Sequence, residues 1–525
     1  MENLEATYNS LITLDSFDLL SNEDAFNHIS LLINSSFALK RLEGLETAIE
    51  RAYLLLNRHL TPFELFRIHY LLGNSWRDIK QLSRQGTDLD LKWDQIEIEK
   101  GITHYRKALL INANHKLKRE VACPILTNLG NLFSHIGRFV EAIEYWNQVL
   151  SIFPSFPMAL GNRGYGLAYY AKALYDNGQA VLFLKYAYND LNNALKSEPY
   201  PHARKAFEEC KNWIELVLKS ELEKPDDVND FSLGDSENEI SYRRWCLKNR
   251  LFLNPLNDLG TFPIAACDIF TTPSIVVDIE DSPYYPGFFN QMKQEFVSAR
   301  YLYYDGINSK EPHFSDKDVL LYDTLDYPSY SLSVEKIKAS FRILYSLFDK
   351  IAYFLNDYME LNIPKTKVSF RTFWYDSLNK KKGLRADFKN RQNWPLRGLF
   401  WLSKDLFEDN AEFKEAMEPD AKEMHDIRNH IEHKYFKLHG DYWHEGSRQT
   451  NKPLNNFVDP LSYSMTRYEF EYKTLKLLKL IRSALIYLSL SIHKEETDRG
   501  KIRNPERKIV PMPLYILDYD KKCRF

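Results

Sequence analysis

From Val334 to Leu361 no proline or glycine interrupts the chain, and Ile337, Phe341, Leu344, Phe348, Ile351 and Leu355 recur at helical spacing. An apolar stripe that long needs cover along its whole length, so other long helices must pack against it. Tyr468–Glu496 supplies one, with Leu475, Leu478, Ile481, Leu485 and Leu488 in phase. Ala421–His444 supplies another, with Met424, Ile427, Ile431, Tyr435 and Leu438 on one side of a single amphipathic rod. Three or four such helices make a bundle. Ser274–Ile279 and Asp318–Tyr322 read as short β-rich pieces, either a small hairpin or extended connections between helices.

A chain of 525 residues exceeds one ordinary core, so two or three domains are expected. With 44% hydrophobic and 27% charged residues the composition is that of a soluble globular protein. A net charge of -3 excludes general attraction to nucleic acid, and any such contact must come from a local basic patch. Cys123, Cys210, Cys246, Cys267 and Cys523 are scattered, odd in number and without a C-x-x-C, which argues against a disulfide framework or a zinc knuckle. The acidic opening MENLEATYNS and the lack of a membrane-length apolar run lead to an expected cytoplasmic location with no membrane partner.

The first 222 residues read as paired helices. In Ile125–Pro154, Leu129, Gly130, Phe133, Gly137, Ala142, Trp146 and Pro154 stand at offsets that resemble a tetratricopeptide repeat. Gly130 and Ala142 are small where the two helices touch, Phe133 and Trp146 fill the space around them, Gly137 lies in the turn, and Pro154 ends the second helix. Leu72-Gly73 with Trp76 begins a stretched pair that closes near Tyr105 to Leu109, with an extra segment around Gln85–Asp94, and Gly164 opens a third. The resemblance implies a repeat array whose surface binds a protein or peptide partner. A helix from about His202 to Leu222 caps it, and Glu223–Ile240, with seven acids against one lysine, reads as an acidic linker. The expected division is therefore 1–222, 223–240 and 241–525, with the bundle core at about 334–496. The expected fold class is mainly α, an α-hairpin array followed by a helical bundle with minor β pieces.

Five of the 14 histidines fall within 421–444. With the apolar stripe turned inward, Asn429 and His433 become i, i+4 neighbours on the outer side, and Arg428 reaches toward the same space. Arg428-Asn429-x-x-x-His433 resembles the R-N-x-x-x-H motif of the HEPN superfamily, small helical domains that include many metal-independent ribonucleases of prokaryotic defence systems. Ser241–Asp258, with Trp245, Cys246 and Leu251–Asn257, resembles the opening of large HEPN-type domains found fused to tetratricopeptide arrays.

Cutting RNA without metal requires a base, an acid and a cation for the charge on the phosphorane. His433 suits proton transfer, Arg428 suits the phosphate clamp, and Asn429 orients either one, with His425 and Glu432 as supporting neighbours. The resemblance implies a homodimer in which two motif helices line a common cleft, and an antiphage or toxin-like role. Lys380, Lys381, Lys382, Arg385, Lys389, Arg391 and Arg397 oppose only Asp387, with Phe388 and Trp394 interleaved, a pattern suited to single-stranded RNA. Lys501–Lys508 is a weaker basic patch. Arg342 and Asp349, the polar exceptions of 334–361, read as surface salt-bridge residues. His425, His430, His433, His439 and His444 lack an H-E-x-x-H arrangement, and no metal or cofactor is expected. The competing reading is a non-catalytic scaffold whose HEPN-like part serves dimerisation or nucleotide binding.

Overall fold

The computed structural model describes residues 2–84, 86–226, 228–407, 421–440, 459–504 and 509–522, and among these the chain is mainly helical with one small sheet. The first helices are α1 (Glu2–Ile12), α2 (Asn22–Ala38), α3 (Leu42–Leu56), α4 (Pro62–Arg84), α5 (Ile96–Asn114), α6 (Cys123–His135), α7 (Phe139–Ile152), α8 (Pro157–Ala173), α9 (Asn177–Lys196) and α10 (Pro201–Leu218). Local chemistry sets their starts. Ser21 accepts from the Asp24 N–H ahead of α2, Thr61 and Glu64 cap one another's backbone ahead of α4, and Pro124, Pro157 and Pro201 occupy first turns, where a missing N–H is harmless. From α2 to α9 the helices pack as successive pairs, and α10 closes the series against α8 and α9. Gly73 against Tyr105, Gly130 against Trp146 and Gly164 against the Ala187–Leu191 turn are all contacts too close for a Cβ.

After α11 (Glu237–Asn249) and the single turn α12 (Leu256–Leu259), the second half is built from α13 (Tyr284–Asn308), α14 (Leu332–Tyr358), the single turn α15 (Ala386–Lys389), α16 (Trp394–Phe407), α17 (Ala421–His433) and α18 (Arg467–Ile502). Ser331 caps α14, whose expected stripe from Ile337 to Leu355 is fully buried, and a Thr466–Glu469 capping box starts α18. α14 and α18 are the two expected long helices, and α13, which lies outside those expectations, packs along α14. The burial of α18 exceeds its expected stripe: Ala484, Ile486, Tyr487 and Leu490 are buried as well, because the helical array covers the other side.

The expected rod 421–444 ends early. α17 stops at His433, and the chain continues as β1 (Tyr435–His439), paired in parallel with β2 (Ser462–Thr466), Tyr435 opposite Ser462 and His439 opposite Thr466. The sequence KYFKLH suits a strand because both of its faces are satisfied there. Phe436 and Leu438 join the core, while Lys437 reaches Asp326 at 2.6 Å and Asp459 at 3.1 Å. Ser274–Ile279 and Asp318–Tyr322 are extended connections without strand pairing.

The two halves share one continuous core. The turn at Gly137, φ 90°, presses its backbone onto that of Gly398 in α16, and a Cβ on either glycine would collide with the other chain segment. Beside this contact Asp405 accepts from Arg106 (2.5 Å) and Arg138, and Lys404 donates to Asp94 (2.5 Å) and Glu99. Trp93, from the extra segment between α4 and α5, is inserted among Trp374, Phe388 and Phe400. Its indole N–H donates to the Arg391 carbonyl and its own carbonyl accepts from Trp401, both at 2.9 Å. The acidic segment is anchored too, through Lys185–Asp226 (2.6 Å) and buried Val228.

Burial alone would raise the Asp405 pKa, but Arg106 and Arg138 hold it down to about 2. Asp405→Ala removes the carboxylate shared by two buried guanidinium groups, leaving Arg138 with Glu141, and is expected to cost roughly 3–5 kcal/mol in urea denaturation. In the array, burial lowers His69 to about 4 and His104 to about 3, the latter with help from His69 and Lys107. These two rings meet Nδ1 to Nδ1 at 3.1 Å. Unfolding lets them take up protons near their ordinary pKa, so their contribution is intact above about pH 6.5 and falls as pH drops toward 4. Denaturation midpoints should decline from pH 7 to pH 5, at up to about 1.4 kcal/mol per pH unit for each histidine, and His104→Gln should flatten that decline.

Candidate functional site

α17 is an amphipathic helix whose three sectors do different work. Met424 and Ile427 are buried and Ile431 is half-buried, which fixes the rotation of the helix against α14 and α16. Arg428 and Glu432 then face a cavity of about 450 Å³ shared with α13 and α14. Asn429 and His433 come round to the outer side, where His433 is exposed.

A directed hydrogen-bond chain crosses the helix surface. Arg428 Nη1 donates to Asn429 Oδ1 at 3.1 Å, and because a guanidinium can only donate, this contact fixes which way the amide points. Asn429 Nδ2 therefore faces His425 Nε2, 3.0 Å away, which must accept. The His425 proton is thereby assigned to Nδ1, which lies 3.2 Å from the Tyr345 hydroxyl on α14. Burial, followed by the charge of Asp349, raises the Tyr345 pKa and keeps the phenol protonated. Sequence reading placed His425 as a supporting residue; its neighbours here are Asn429 and Tyr345. His433 is one helical turn beyond Asn429 and outside this chain.

The remaining histidines separate. His430 bonds to the Asp426 carbonyl at 2.7 Å and stacks on Tyr463, and His439 is buried in β1 against the Asp326 carbonyl. His444 lies outside the described residues, as do Cys523 and the 505–508 part of the second basic patch. Among the described residues no three His, Cys, Asp or Glu side chains are grouped to hold a metal ion.

The basic cluster divides. Lys381, Lys382 and Lys389 are exposed, Lys380 and Arg385 are half-buried, and Arg385 pairs with Asp387 at 3.2 Å while donating to the Leu361 carbonyl. Arg391 instead pairs with Glu495 and donates to the Asp387 carbonyl. Arg397 departs furthest from the sequence expectation. It is 4% exposed beneath the array, 3.4 Å from His135, and burial lowers its pKa to about 10. The interleaved aromatics are also internal: Phe388 packs on Trp93, and Trp394 stacks on Phe139 and donates to the Ser134 carbonyl at 2.7 Å. Both serve the junction between the halves.

The cavity itself was not anticipated. Arg342, Tyr345, Ser346, Asp349 and Tyr353 line it from α14, with Phe288 from α13 opposite. Neither Arg342 nor Asp349 forms the expected salt bridge with a described residue; Asp349 accepts from the Phe370 N–H at 2.9 Å. The signal was present in their spacing, a second helical stripe of polar and aromatic residues on the face opposite the buried one.

No helix among the described residues is long and apolar enough to cross a membrane. No curated protein and no solved structure matches the chain. Residues 276–495 match the LA2681-like HEPN family, a span that takes in α13, α14, α16, α17, the sheet and most of α18. The bundle that carries Arg428, Asn429 and His433 is thus similar to a HEPN domain of the LA2681-like kind.

Proposed function

We propose that the protein is a metal-independent endoribonuclease whose site is carried by α17. The supporting observation is the amide of Asn429, pinned between the Arg428 guanidinium and His425 on a helix whose outer face also presents His433. In this reading His433 accepts the ribose 2′-hydroxyl proton as the oxygen attacks the adjacent phosphorus. Arg428 stabilises the dianionic phosphorane. The second copy's motif histidine gives its proton to the departing 5′-oxygen, which leaves a 2′,3′-cyclic phosphate and a 5′-hydroxyl.

One exposed imidazole cannot serve easily as both base and acid in a single step, so the reading places two copies of the chain face to face, each contributing a motif helix. The match of 276–495 to a HEPN family supports ribonuclease chemistry and a place in antiphage defence or toxin–antitoxin biology. The paired helices of the first half support a tetratricopeptide-like array that senses a protein or peptide partner, and the exposed members of the 380–389 cluster support contact with the RNA backbone. Division at 222 and 241 into array, linker and nuclease unit belongs to the same proposal, as does action in the cytoplasm.

The test is incubation of the purified chain with single-stranded RNA in EDTA. Cleavage should persist with the chelator, yield 2′,3′-cyclic phosphate ends, and fall at least a hundredfold in His433→Ala and Arg428→Ala. Undiminished cutting by His433→Ala would end the assignment. Because the site draws on two copies, sedimentation should find dimers, and excess His433→Ala chain should depress the activity of the wild type.

A further inference from the structure

The cavity between α13, α14 and α17 plays no part in the proton transfers above, yet it opens beside the guanidinium of Arg428. Its walls differ in chemistry. Phe288 and Tyr353 meet edge to face, ring centres 6.0 Å apart, and form an aromatic side. Two guanidinium groups complete the lining, Arg342 on the same face of α14 about three turns before Tyr353, and Arg428 from α17. Arg342 has no ion-pair partner among the described residues, and Arg428 is bonded to a neutral amide. Lys350 is different, since Glu295 neutralises it at 2.5 Å. Asp349 and Glu432 add carboxylates, with one Asp349 oxygen already occupied by the Phe370 N–H.

A purely anionic ligand would leave the aromatic wall unused, and a purely apolar one would desolvate two unpaired cations. A flat ring joined to a phosphate satisfies both sides at once, and about 450 Å³ lies within the usual range of small-molecule sites. We infer that this cavity is a nucleotide subsite for single-stranded RNA, holding the residue that flanks the scissile phosphate. The base stacks on Tyr353 or Phe288, and its phosphate lies between Arg342 and Arg428. Asp349 and Glu432 accept from the N–H groups on the base edge. The inference rests on the reading of α17 as the cutting site, because Arg428 belongs to both. A base lodged there has left its stack, so paired RNA is excluded.

The test uses the full chain and a fluorescein-labelled 2′-O-methyl tetranucleotide, which cannot be cut because it lacks the free 2′-hydroxyl. Binding is read by anisotropy. Arg342→Glu and Tyr353→Leu, checked for unchanged melting curves, should each weaken binding at least tenfold, while Lys205→Glu, the same charge reversal on exposed α10, stays within twofold of wild type. Adenosine and guanosine 5′-monophosphates should displace the probe at concentrations where inorganic phosphate does not. Binding within twofold of wild type by both cavity variants would overturn the subsite, as would displacement by phosphate equal to that by the nucleotides. If the wild-type chain cuts RNA and the cavity variants bind normally, the subsite alone is lost. If no RNA is cut while those variants still lose the probe, the ribonuclease reading fails and a nucleotide site remains.

Discussion

One buried carboxylate ties the second half to the first. Asp405 sits in α16 and is met by Arg106 and Arg138, both from the helical array. Its ionised state is a product of the assembly, since burial opposes it and only the two guanidinium groups reverse the balance. α16 also packs on α17 and α18. The position of the motif helix therefore follows from a chain of contacts that begins in the array: arginines hold Asp405, Gly137 meets Gly398, and the opposite side of α16 supports α17.

α17 converts that support into chemistry by its rotation. Three apolar residues set the phase, and the remaining side chains fall into place around the helix. Arg428 and Glu432 face the cavity, His425 and Asn429 connect to Tyr345, and His433 points outward. Arg428 both lines the cavity and bonds the Asn429 amide, and Tyr345, also on the cavity wall, closes the same hydrogen-bond chain through His425. Ending the helix at His433 matters as well. The next residues are drawn into β1 by Phe436, Leu438 and the Lys437–Asp326 pair, so His433 occupies the last turn of α17 and is not hemmed in by a further turn of helix.

Much of this was legible in the residues. The apolar stripes of α14 and α18 located both helices, and the small residues Gly130 and Gly164 marked where paired helices touch. The phase of Met424 and Ile427 placed His433 outside. What periodicity could not carry was anything decided by a distant partner. Arg391 and Arg397 look like members of a basic patch because their partners, Glu495 and the His135–Asp90 region, are far away in the chain. Lys437 looks like a helix-surface residue until Asp326 and Asp459 are known to converge on it. The stretched spacing around Gln85–Asp94 weakened the repeat pattern for a reason no local reading contains, because Trp93 answers to Trp374 and Phe400 in the other half.

That tryptophan has an evolutionary consequence. A unit that is merely tethered to its neighbour can be exchanged like a cassette, because the neighbour folds without it. Here the array donates an indole to the interior of the second half and two cations to its buried acid, so neither half presents a finished surface when separated. Grafting a foreign helical array onto the bundle would succeed only if it brought its own counterparts of Trp93, Arg106 and Arg138.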